Sequence, residues 1–98
     1  MEGFDVCVGL DVGKSFHWML ALGRDLGTLA DREVRQCEQE LLEAFGALAV
    51  TGSVLVVVDQ PNNIGSLAVA CARRAGCSVA YLPKARYAPR RWAAARRG

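Results

Sequence analysis

The stretch that decides the fold is VCVGLDVGKS, residues 6–15, near the start of the chain. It is a nearly unbroken apolar run that ends in one carboxylate, Asp11, and is followed at once by a glycine turn. So short and so apolar a run predicts a β-strand that is buried on both faces. An ionised aspartate in such a strand is unfavourable unless a metal ion, another cation or hydrogen-bond donors meet it. Most of what the sequence indicates about function therefore depends on which group meets Asp11.

The length and composition of the chain predict one small globular domain. The chain has 98 residues, of which 52% are hydrophobic, so it can bury a core and is not disordered by composition. No apolar stretch reaches the roughly 18 residues of a membrane span. The first residues lack the basic region of a secretory signal. We therefore expect a cytoplasmic protein with no membrane partner.

The cysteines do not form a zinc-binding pattern. The chain has four of them and one histidine, His17, with no C-x-x-C pair among them. Zinc sites need closely spaced ligands, so none is expected here. We predict reduced cysteines that behave as small hydrophobic residues.

The first three strands are predicted over 5–11, 16–22 and 28–34. In the second, large apolar residues at every other position indicate a strand, and the glycine-containing turn after it is typical of a hairpin. The third carries charges at its centre, which favour an edge position in the sheet.

The rest of the chain alternates between helices and strands. Apolar residues at helical spacing predict a helix that begins near Glu38 and stops at Thr51. A strand over 53–59, a helix over 64–75 with Asn62 or Asn63 as its N-cap, and a strand over 77–82 follow. The order β-β-β-α-β-α-β predicts an α/β fold with a mixed five-stranded sheet.

Asp59 ends the fourth strand in the same way that Asp11 ends the first. Chemistry in α/β sheets gathers at the carboxyl ends of parallel strands. If these two strands are parallel neighbours, their carboxylates repel each other unless a divalent cation such as Mg²⁺ binds between them. The alternative is two ordinary aspartates that cap the loops after their strands. A P-loop is excluded, because the spacing before Lys14 is one residue short and a strand follows it.

These residues resemble a known family. The element order, the segment GLDVGK over residues 9–14 and the segment VVVDQP over residues 56–61 are similar to the N-terminal part of the DEDD transposases of bacterial insertion sequences. The resemblance covers residues 5–83. It implies a ribonuclease H-like domain over residues 1–83, similar to that of Holliday-junction resolvases and incomplete here at its C-terminal end.

The resemblance also implies a site and partners. In the family, four acidic residues bind Mg²⁺ for DNA cleavage and strand transfer. The match carries the first to Asp11 and the second to Asp59, where the family more often has glutamate. It places Lys14 beside the nucleic-acid backbone. The alternative is that Lys14 is an ordinary exposed lysine in a turn. DNA, a guide or structured RNA, and further copies of the chain are the implied partners.

The C-terminal segment departs from that family pattern. No acidic residue occurs after Asp59, so the third and fourth acids are missing, and the chain alone is expected to be inactive. Residues 1–83 carry a net charge of −4 and residues 84–98 carry +6. Segment 84–98, rich in alanine and arginine, is predicted to be irregular or a short helix. We interpret it as an accidental sequence after a frameshift, or as a basic arm that uses Arg86, Arg90 and Arg91.

The sequence thus predicts the N-terminal fragment of a Mg²⁺-dependent DNA transposase or recombinase. Two alternatives stay open at this point. One is a non-catalytic nucleic-acid-binding module that uses the basic segment. The other is a fragment of an actin-like or sugar-kinase ATPase, whose first phosphate loop also has the Asp-x-Gly pattern of residues 11–13.

Overall fold

Five strands and two helices form the described part of the chain. The structure is a computed structural model and describes residues 3–58 and 66–81. The elements are β1 (Val6–Asp11), β2 (Phe16–Gly23), β3 (Thr28–Arg35), α1 (Glu38–Ala49), β4 (Val54–Val58), α2 (Ser66–Arg74) and β5 (Ser78–Tyr81). The predicted order β-β-β-α-β-α-β is confirmed. The N-cap predicted at Asn62 or Asn63 lies outside the described residues.

The strands form one mixed sheet in the order β3-β2-β1-β4-β5. The β1–β2 and β2–β3 pairs are antiparallel, whereas the β1–β4 and β4–β5 pairs are parallel. This α/β arrangement is consistent with the predicted ribonuclease H-like fold. β3 lies at one edge, as its charged sequence predicted, and β1 lies in the centre.

Both helices cover the same face of the sheet. The crossovers β3-α1-β4 and β4-α2-β5 move in the same direction across parallel strands, and right-handed connections then place both helices on one side. On that side, Val8 and Val56 are fully buried. On the other side, Cys7, Leu55 and Val57 are only half-buried. The predicted burial of β1 and β4 is therefore confirmed for one face only.

The helices pack through their apolar faces and against each other. In α1, Leu41, Phe45 and Leu48 are buried in the core. Cys37 occupies the N-cap position of α1 without a side-chain capping bond. Arg74 at the end of α2 donates a 2.6 Å hydrogen bond to Glu38 at the start of α1, which joins the two helices at their surface.

A second tie lies at the amino ends of β1 and β4. The Asp5 backbone N–H donates to the Ser53 carbonyl, and the Ser53 N–H donates to Asp5 Oδ2, each over 2.9 Å. The backbone hydrogen bond from Ser53 lowers the pKa of the Asp5 carboxyl. A Cβ on the preceding Gly52, whose φ is +150°, would overlap the Asp5 side chain. These contacts hold the two strands in register at the end opposite to Asp11.

The four cysteines are free, as predicted. Burial raises the pKa of the Cys71 thiol and of the Cys77 thiol, which keeps both in the unreactive protonated form. Among the described helices, which have 12 and 9 residues, none is long and apolar enough to span a membrane.

Candidate active site

Asp11 is the last residue of the central strand β1. Within β1, Val6, Val8 and Leu10 face the helices, so the alternation of the strand places Asp11 on the opposite face. The side chain is half-buried, and its register partner on β2 is Trp18. A carboxylate in this position is close to solvent, while β1 pairs with β2 along its whole length and with β4 as far as Leu10.

The carboxyl ends of β1 and β4 meet at the same edge of the sheet. The parallel register runs from Val6 opposite Val54 to Leu10 opposite Val58. In the sequence, an aspartate follows each member of the last pair, Asp11 after Leu10 and Asp59 after Val58. The parallel pairing that the two-carboxylate prediction required is therefore present. Asp59 itself lies outside the described residues.

Other acidic residues on the same face stand farther away. Across the sheet, Asp11 pairs with Trp18, and Trp18 pairs with Glu33 on β3. Neighbouring strands are about 4.8 Å apart, so Glu33 lies roughly 10 Å from Asp11 along this row. Asp31, also on β3, accepts a 2.6 Å hydrogen bond from the Trp18 indole N–H. β2 therefore separates both β3 carboxylates from the candidate site.

The described residues place one carboxylate, that of Asp11, at this edge of the sheet. Across residues 3–58 and 66–81, no three His, Cys, Asp or Glu side chains come together as metal ligands. The carboxylate of Asp11 is an oxygen donor of the kind that Mg²⁺ binds. The donor that the described residues present thus fits Mg²⁺ in kind, and further ligands have to come from outside the described residues.

The loop between β1 and β2 carries Lys14 next to Asp11. The loop is short, covering the four residues 12–15, and Lys14 is exposed on it. A Cβ on Gly13 would overlap the carbonyl oxygen of Phe16, so this position has room for glycine only. Lys14 therefore projects into solvent at the edge of the sheet where Asp11 lies. Arg86, Arg90 and Arg91, the other predicted nucleic-acid contacts, lie outside the described residues.

His17 is a polar residue for which the sequence predicted no functional role. It lies on β2 with its side chain on the helix-covered face and is 1% exposed. The Gly13 backbone N–H donates to its Nδ1 over 3.3 Å, and its Nε2 lies 2.5 Å from Gln36 Oε1. The sequence signal for the burial of His17 was the alternation of β2, which places His17 on the same face as Met19 and Ala21.

A groove elsewhere on the surface does not include the candidate site. It has a volume of about 740 Å³ and lies between β3 and α1. Its charged lining includes Arg35 and Glu40, which form an ion pair at 3.7 Å. Neither Asp11 nor Lys14 lines it, so the groove adds no residue to the site.

Comparison with known proteins identifies similar sequences. A family model described as a transposase, of the IS110 DEDD type, matches residues 8–98. A protein of Streptomyces coelicolor, described as an insertion element IS110 uncharacterized 43.6 kDa protein, is 45% identical over 83 residues. The alignment covers 84% of this chain and 20% of that relative. The chain thus spans one fifth of the length of the curated relative that it matches.

Proposed function

The chain belongs to the IS110-type DEDD transposase family, and on that premise we propose that it forms the N-terminal part of the catalytic domain of a DNA transposase. One observation carries this proposal. β1 and β4 run parallel and end at the same edge of the sheet. Asp11 is the last residue of β1, and Asp59 follows the last residue of β4 in the sequence. This is the arrangement that metal-assisted phosphodiester chemistry needs.

Asp11 and Asp59 are the proposed Mg²⁺ ligands. When bound, Mg²⁺ would neutralise the paired carboxylates and coordinate phosphate oxygens of DNA for cleavage and strand transfer. Asp11 contributes an oxygen at the end of a strand that is hydrogen-bonded on both sides. The family has four such acids, and the chain has none after Asp59. We therefore expect weak metal binding and no DNA cleavage by these 98 residues alone.

Lys14 and the basic segment 84–98 are the proposed contacts to the DNA backbone. The exposed position of Lys14 beside Asp11 supports its part in this role. The family match extends through residue 98 and so includes the basic segment, which favours a DNA-binding arm over an accidental sequence. The match to transposases gives no support to an ATPase. Use of a guide RNA, assembly into homo-oligomers and a cytoplasmic location stay predictions.

Metal binding is tested by nuclear magnetic resonance on the 98-residue chain. Mn²⁺ replaces Mg²⁺ as a paramagnetic probe, and broadening of backbone amide signals reports where it binds. We expect broadening around residues 10–14 that Asp11→Asn abolishes. The matched control is Glu33→Gln, which removes a carboxylate from the same face on β3 and should leave the broadening unchanged. Equal broadening in the Asp11→Asn protein would contradict the proposed site.

DNA binding is tested by its dependence on salt. Each phosphate contact contributes about −0.9 to the slope of log K against log salt concentration. Substituting Arg86, Arg90 and Arg91 together by alanine should make the slope shallower by up to about 2.7. Arg73→Ala, an exposed change near the end of α2, is the control. An unchanged slope in the triple variant would rule out the basic arm.

A further inference from the structure

The core encloses a polar side chain that the proposed chemistry does not use. Among the described residues, His17 is the buried polar or charged side chain, at 1% exposure, in a cluster that is otherwise apolar. Burying an imidazole without hydrogen-bond partners is unfavourable, and an apolar residue would fill the same space without needing any. The hydrogen bonds of His17 are therefore the feature to explain.

The hydrogen bonds of His17 define the tautomer of its imidazole ring. The Gly13 N–H is a donor only, so Nδ1 must accept, and the hydrogen of the ring is then on Nε2. Nε2–H donates to Gln36 Oε1. The ring thus joins the loop that follows β1 to the segment between β3 and α1.

Gln36 also contacts the loop directly. Its backbone N–H donates to the carbonyl of Ser15 over 2.8 Å. The four-residue loop is consequently held at Gly13 through His17 and at Ser15 through Gln36, with Lys14 between the two anchors. A Cβ at position 13 would overlap the Phe16 carbonyl oxygen, so this path of the loop requires glycine there.

We propose that His17 is a positioning residue, which holds the β1–β2 loop through Gly13 and so orients the Asp11 carboxylate and Lys14 toward metal and DNA. This inference rests on the proposed function of Asp11. Gly13 is two residues beyond Asp11, so a loop that changes its path at Gly13 moves the backbone that carries the carboxylate. Groups behind a metal ligand commonly act in this way, by orienting it rather than touching the metal.

Two substitutions of His17 separate its two contacts. In His17→Asn, the amide oxygen is attached to Cγ, as Nδ1 is, and can still accept from Gly13. In His17→Gln, the longer amide can still reach Gln36, but the acceptor for Gly13 is lost. Val34→Ala is the control for a loosened core, because Val34 is the buried register partner of His17 on β3 and takes no part in these hydrogen bonds.

The experiment measures Mn²⁺ affinity by amide broadening and, without metal, hydrogen exchange of the Gly13 amide. In His17→Gln we expect Gly13 exchange to rise by about tenfold and Mn²⁺ affinity to fall by about tenfold. His17→Asn and Val34→Ala should keep both near the original values while lowering thermal stability. If the loss of Mn²⁺ affinity is instead proportional to the loss of thermal stability across the three variants, the positioning role is wrong.

The remaining outcomes also decide the question. If Asp11→Asn removes the Mn²⁺ signal but His17→Gln leaves it intact, the proposed function stands and the positioning role is wrong. If the unchanged chain shows no Mn²⁺ signal at residues 10–14, the proposed function itself fails, and the positioning role fails with it. If His17→Gln does not fold, His17→Leu replaces it, because leucine fills the same space without an acceptor for the Gly13 N–H: a drop in Mn²⁺ affinity supports the role, and an unchanged affinity overturns it.

Discussion

Two neighbouring valines on β4 provide a direct test of the one-sided sheet. Val56 is 0% exposed and faces the helices, whereas Val57 is half-buried on the opposite face. Substituting either by alanine removes the same two methyl groups and reduces β-propensity by the same amount. The difference between the two variants therefore reports the packing of the two faces and little else.

The structure gives the size of the expected difference. Removing two buried methyl groups from Val56 loses about 1.6 kcal/mol of transfer free energy, at about 0.8 kcal/mol each. The cavity left under the helices raises the total to roughly 2–3 kcal/mol. At about 4–8 °C per kcal/mol for a domain of this size, the Tm should fall by roughly 10–20 °C. For Val57→Ala, with part of the side chain in solvent, we expect about 1 kcal/mol or less.

The assay is urea unfolding followed by circular dichroism, with thermal unfolding as a second measurement. Both variants should keep the slope of the original protein, so that the midpoints compare stability directly. If Val57→Ala destabilises the chain as much as Val56→Ala, the second face is as tightly covered as the first, and the description of a sheet with both helices on one side is wrong.

The remaining predictions concern two glycines and one carboxylate. Gly13→Ala should lower the free energy of unfolding by about 1–3 kcal/mol, because its Cβ would overlap a Phe16 backbone atom. Gly46→Ala in α1, where a Cβ meets nothing within 4 Å, should raise the free energy of unfolding by about 0.5–1 kcal/mol. Both variants are measured by urea unfolding, and an increase in the Gly13→Ala protein as well would contradict the predicted overlap. The pKa of Asp5 is lowered from 3.8 in the folded chain, so its stabilising effect is present above that pH and is lost as the pH falls through the lowered pKa. The stability difference between the original protein and Asp5→Asn, followed by unfolding at a series of pH values, should accordingly shrink on acidification, and a difference that grows would refute it.

Much of the fold could be predicted because the decisive patterns are local. The apolar run of β4 and the helical spacing of Leu41, Phe45 and Leu48 each lie within one element. Periods of about 2 and 3.6 residues then identify strand and helix without knowledge of their neighbours. The charged centre of β3 likewise indicated an edge strand, because charges there discourage further pairing. The position of Asp11 at the end of an apolar strand was predictable for the same reason.

The candidate site was less predictable because its contacts join distant parts of the chain. The hydrogen bond between His17 and Gln36 spans 19 positions, and the backbone hydrogen bond from Gln36 to Ser15 joins the same two distant segments. Nothing in the alternation of β2 shows that His17 would meet Gly13 on one side and Gln36 on the other. Such partners are chosen by how the strands and the loop pack, which no local pattern contains.

By itself, the sequence determined the order of the elements, the edge position of β3 and the carboxylates at positions 11 and 59, since each depends on residues within one short segment. Only the tertiary structure decided which face of the sheet is covered. A strand buries alternate residues, but both faces of β1 and β4 are apolar in sequence, so the pattern predicted burial on both. The right-handed crossovers place both helices on one side, and this leaves Asp11 on the more open face while it encloses His17 in the core.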